Sequence, residues 1–111
     1  MLTINQIVAV YESGVDVSIR KKNNPSIKGE YDPSTLEINL FPENNASSED
    51  FEITILHEFI HARDDVRSAR NSFSPELNVE NEAKETYFKK RYVLDFIKLL
   101  YRLKRKQFSF Y

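Results

Sequence analysis

The chain has 111 residues with 16 Lys+Arg against 17 Asp+Glu, and a formal charge of −1. That balance argues against a protein that holds nucleic acid mainly through its phosphates. Zero cysteines rule out disulfides, iron–sulfur clusters and thiolate zinc sites, and two glycines leave nothing for a Gly-rich phosphate loop. A hydrophobic fraction of 41% with 8 Phe and 6 Tyr is enough for one modest core, so a single folded domain spanning 1–111 is expected. No apolar run is long enough for a membrane span, and Met1 to Val10 lacks the basic start of a signal peptide. The expected location is cytoplasmic.

Leu2 to Tyr11 places Ile4, Ile7, Val8 and Tyr11 at helical spacing, with Gly14 as a stop. Val15, Val17 and Ile19 alternate as a half-buried strand does, and Leu36, Ile38 and Leu40 do so again before Pro42. Between them, Asn23-Asn24-Pro25 and Asp32-Pro33-Ser34 read as turns. Ser47 or Ser48 is an N-cap for a strong helix running to about Asp65, with Glu49 and Asp50 in its first turn. Ser74-Pro75-Glu76 opens a last helical pattern that continues to about Lys106. A straight helix of that length would span ~45 Å, against ~34 Å for a compact chain of this size, so it must break, bend or project. The predicted class is α+β: a small antiparallel sheet packed on an N-terminal helix, an active-site helix and a long C-terminal helix.

The chemistry is concentrated in His57-Glu58-Phe59-Ile60-His61, which holds both histidines of the chain. On a helix, the i,i+4 spacing puts both imidazoles on one face, one turn apart, able to share a Zn²⁺ ion. Glu58 is rotated by ~100° and reaches water rather than the metal. Phe51, Ile53, Ile55, Leu56, Phe59, Ile60 and Ala62 form a broad apolar arc, leaving a narrow polar face for Thr54, His57, Glu58 and His61. A third protein ligand must be a carboxylate. Asp64 and Asp65 are too close in sequence to swing round to the same ion; Asp65, four residues after His61, could instead steady its ring. The alternative set is Val79-Glu80-Asn81-Glu82-Ala83-Lys84-Glu85, on the returning helix.

With its His-Glu-x-x-His helix and a glutamate on the next helix, the chain resembles the gluzincins, and within them the minigluzincins, domains of about this whole length. These are similar to the catalytic domains of some integral-membrane metallopeptidases. The resemblance implies a minimal zincin fold, one Zn²⁺ per chain held by His57, His61 and a glutamate, and a metalloendopeptidase using Glu58 as general base. In that clan a small residue commonly stands three positions after the ligand. Glu80 has Ala83 there and Glu82 has Glu85, which favours Glu80, although Lys84 occupies the place where relatives often carry an Asp or Asn brace. Asn81-Glu82-Ala83 is similar to the ligand context of thermolysin-like enzymes, so Glu82 stays open.

The resemblance also implies that the strand Leu36, Ile38 and Leu40 is a cleft rim on which an extended peptide or unfolded-protein substrate pairs. Tyr87 and Arg91 are candidates for steadying an oxyanion. From Lys84 to Lys106 there are nine basic and two acidic residues, whereas Gly29 to Asp65 holds ten acidic and one basic. The chain ends Gln107-Phe108-Ser109-Phe110-Tyr111. Those alternating aromatics suggest a tail over 104–111 that adds to the Leu36–Leu40 edge and keeps the enzyme latent, within one chain or in a homo-oligomer built through the C-terminal helix and tail. The alternative function is a zincin-fold binding or regulatory protein with little hydrolysis. Neither nucleic acid nor a membrane span enters either reading.

Overall fold

A computed structural model describes residues 1–67 and 76–103. Helix α1 (Ile4–Glu12) opens on a capping box, the Thr3 hydroxyl accepting from the Gln6 N–H while the Gln6 side chain accepts from the Thr3 N–H. It stops at Gly14, whose φ of +88° only glycine adopts without strain. Strands β1 (Asp16–Ile19), β2 (Gly29–Asp32) and β3 (Glu37–Leu40) follow, then a 3₁₀ turn at Pro42–Asn44. Helix α2 (Ser48–Arg67) starts where Ser47 accepts the Asp50 N–H on its side chain. The C-terminal pattern forms two helices, α3 (Glu76–Lys89) and α4 (Tyr92–Leu100).

The α+β class is as expected, but the sheet is mixed rather than antiparallel. Its order is β1-β3-β2, with β3 parallel to β1 and antiparallel to β2. The chain leaves β1, crosses to the far edge to make β2, and returns as β3 between the two. Strand β2 runs opposite to β1, so a strand antiparallel to β2 between them runs with β1. Strand β2 had no clear signal, because Gly29-Glu30-Tyr31-Asp32 carries one apolar residue and adjoins a turn.

The long C-terminal helix breaks at Lys90–Arg91. That break lets Val93, Leu94 and Ile97 turn back into the core with Val79, Ala83 and Tyr87. The Tyr101 hydroxyl then donates to the Val15 carbonyl at 2.9 Å, tying the end of α4 to the start of β1. The core is centred on α2, whose Phe51, Ile55, Leu56, Phe59 and Ile60 are fully buried against Ile7, Val10, Ile38 and Leu40. Burying each such side chain is worth about 1.5–3 kcal/mol. No helix among the described residues is long and apolar enough to cross a membrane. The residues 104–111, and with them the expected aromatic tail, lie outside the described part, as does Ser74-Pro75.

Candidate metal centre

Helix α2 is buried on nearly every side, which fixes its rotation and leaves His57 and His61 in one part-open strip beside α3. Their Nε2 atoms lie 3.2 Å apart. The Glu76 carboxylate reaches both, with Oε2 at 2.9 Å from His57 Nε2 and Oε1 at 2.8 Å from His61 Nε2. One turn on, Glu80 Oε1 accepts from Nδ1 of His57 at 2.9 Å. Ligand atoms of His57, His61 and Glu76 all fall within 4.8 Å of one another.

The glutamate expected as third ligand therefore takes a different place. Glu80 meets the Nδ1 side of His57, whereas Glu76 shares the Nε2 side with both rings. Glu76 and Glu80 are four apart on α3, so one helix face delivers both carboxylates. That spacing was available in the sequence, but Glu76 read only as part of the Ser74-Pro75-Glu76 opening of the helix. Glu82 points elsewhere: both of its oxygens accept from the Arg63 guanidinium, the Nη2–Oε1 distance being 3.0 Å.

The donor set fits a zinc-type ion. Two imidazoles and a carboxylate are ordinary ligands for it, and three protein ligands leave a position open. With Glu80 accepting a proton from Nδ1 of His57, the Nε2 lone pair would be free for an ion shared with His61 and Glu76. Burial pushes the pKa of His61 down despite the Glu76 carboxylate beside it, which favours the neutral imidazole that a metal needs.

Glu58 lies one position along, on the side of α2 under β2. It is only 6% exposed, and burial pushes its carboxyl up to about 7, against the opposing pull of His57. Glu76, Glu30 and Glu80 push the same way as burial. A carboxyl poised there changes protonation easily near neutral pH. Gly29 allows β2 to come this close. A Cβ on it would stand 2.9 Å from Thr54 Cγ2 and 3.2 Å from Glu58 Cγ. Two residues on, the Tyr31 hydroxyl donates to Asp65 at 2.6 Å, so β2 runs along α2 past Glu58 and beyond His61. Asp65 thus takes Tyr31, not the His61 ring. Neither Gly29 nor Tyr31 stood out in the sequence.

The rim assignment changes strand. β3 is paired on both sides, and Ile38 and Leu40 are fully buried, so Leu36, Ile38 and Leu40 offer no edge to a substrate or to a tail. Leu36 instead takes a positive φ of 55° in the turn before β3 and packs on the core. The strand at the sheet edge over α2 is β2. Tyr87 and Arg91 are also otherwise engaged: the Tyr87 hydroxyl donates to Glu52 at 3.1 Å, and the Arg91 guanidinium stacks 4.0 Å over the Tyr87 ring.

No protein-family profile matches the chain, and no curated protein or solved structure is significantly similar to it.

Proposed function

We propose that the protein is a zinc-dependent endopeptidase whose metal is held by His57, His61 and Glu76, with Glu58 as general base. The observation that carries the reading is the convergence of two imidazole Nε2 atoms on one carboxylate, beside a separate, buried carboxyl with a pKa near neutrality. When bound, the metal supplies Lewis acidity, polarising a carbonyl and acidifying water. Glu58 takes a proton from the attacking water and passes it to the departing amine, and a carboxyl tuned to about 7 suits both transfers. Glu80 keeps His57 oriented through its contact with Nδ1. The β2 edge would pair with an extended peptide through main-chain hydrogen bonds, which recognises unfolded chain without demanding a sequence.

The test is cleavage of an unstructured protein by zinc-loaded wild type and by Glu58→Gln. Glu58→Gln should keep the metal and lose about 10²–10⁴-fold in rate. Metal binding without cleavage by the wild type would favour the binding or regulatory alternative; cleavage unaffected in Glu58→Gln would refute the assigned base.

A further inference from the structure

Helix α4 is amphipathic, with Val93, Leu94 and Ile97 fully buried. Its opposite face carries Tyr92, Asp95 and Leu99, at the i, i+3, i+7 spacing of a single helical stripe. Tyr92 is 56% exposed and Leu99 78%. Phe88, four residues before Tyr92 at the end of α3, is 63% exposed, and Phe96 is half-buried between them. Large side chains exposed singly are ordinary; three between positions 88 and 99, at the end of α3 and along α4, mark a contact surface.

The ion pairs point to what that surface meets. Arg20, Lys21, Lys22, Lys28, Arg63, Arg67, Lys84, Lys89 and Lys98 each have a carboxylate within 4 Å. Among the described residues the cations without one are Lys90, Arg91 and Arg102, and all three belong to the segment that carries Phe88, Tyr92 and Leu99. From Lys84 to Arg102 there are six basic residues against Glu85 and Asp95, while Gly29 to Asp65 holds ten acidic against one basic. The excess of positive charge thus belongs to the C-terminal segment.

We infer that the α3–α4 junction and α4 form a docking face for an anionic phospholipid surface. Uncompensated cations meet lipid phosphates, Tyr92 sits at headgroup level, and Phe88 and Leu99 enter the boundary of the acyl chains. A nucleic-acid strand would use the cations and stack on the aromatics but gives an exposed leucine nothing to bury against. This inference is independent of the peptidase reading.

The test is co-sedimentation of the full chain with vesicles of phosphatidylcholine alone and of phosphatidylcholine mixed with phosphatidylglycerol. The expected result is partition onto the phosphatidylglycerol vesicles, weak binding to the neutral ones, and release by high salt. Lys90→Glu with Arg102→Glu, and separately Phe88→Ser with Leu99→Ser, should each lower the partition by about tenfold or more while leaving the far-UV spectrum unchanged. All four positions carry side chains outside the core, so the variants should fold. Equal binding to both vesicle types, no binding to either, or binding indifferent to both double variants would overturn the inference. So would a wild-type dimer in light scattering that Phe88→Ser with Leu99→Ser dissociates while vesicles bind neither form, or preferential retention of a DNA oligonucleotide.

Discussion

Arg63 on α2 and Glu82 on α3 are joined by a two-pronged ion pair, both guanidinium Nη atoms donating to the carboxylate. Arg63 is two residues past His61 and Glu82 two past Glu80, so the pair helps hold α3 in the register that brings Glu76 and Glu80 onto the histidines. Arg63 also donates to Asp64, and its side chain is 8% exposed. Losing Glu82 leaves a buried cation short of its partner. Glu82→Gln should therefore cost about 1–3 kcal/mol in unfolding free energy, yet keep stoichiometric metal binding. Denaturant unfolding and metal titration of the same preparation separate the two effects.

The same pair sets a pH dependence. Burial alone would raise the Glu82 carboxyl, but the hydrogen bond and charge of Arg63 outweigh it and hold the pKa below the ordinary 4.5. The folded state thus binds this proton less readily than the unfolded chain. Its stabilising contribution is complete above pH 4.5 and fades as pH falls through the depressed folded value. Unfolding midpoints followed downward from pH 5 should drop less steeply in Glu82→Gln than in wild type.

Glu58 has the opposite sign. Its folded pKa of about 7 stands above the unfolded 4.5, so the folded state holds the proton more tightly. Stability of the metal-free protein should decline as pH rises from 4.5 to 7 and level off above. Glu58→Gln removes that penalty. The metal-free variant should be about 1–3 kcal/mol more stable than wild type at pH 7 and nearly equal to it below pH 4.5, as read by thermal unfolding in chelator.

Gly29 lets β2 pass closely over α2. Gly29→Ala places a methyl group against Thr54 Cγ2, Glu58 Cγ and the Asn39 carbonyl at 2.9, 3.2 and 3.3 Å. The strand must move or the Glu58 side chain must shift. The expected outcome is a loss of about 1–3 kcal/mol in stability together with slower peptide cleavage at unchanged metal content.

The sequence carried α1 and α2 clearly, because the apolar period of each is strong and Ser47 is an ordinary cap; for the C-terminal pattern it left a break, a bend and a projection open, and the structure has the break. It carried the pairing of His57 with His61 because helical spacing alone puts them together. It did not carry β2, whose Gly29 and Tyr31 act through contacts with α2 rather than through alternation. Missing β2 made β3 look like an edge, and so misplaced the cleft rim at Leu36, Ile38 and Leu40. Which carboxylate of α3 meets which ring nitrogen was not legible for a related reason. Sequence spacing limits the choice to the acidic face of α3, but the side of the His57 ring that each glutamate meets depends on how α2 and α3 cross.

The central claim is a metal held by His57, His61 and Glu76, with Glu80 acting on the far side of the His57 ring. It is tested most directly by measuring zinc content and affinity in wild type, Glu76→Gln, Glu80→Gln and Glu82→Gln. One equivalent should bind in wild type and in Glu82→Gln, with affinity reduced about 10–100-fold in Glu80→Gln and stoichiometric binding lost in Glu76→Gln. Full zinc affinity in Glu76→Gln, with binding abolished in Glu80→Gln or Glu82→Gln, would contradict the assignment.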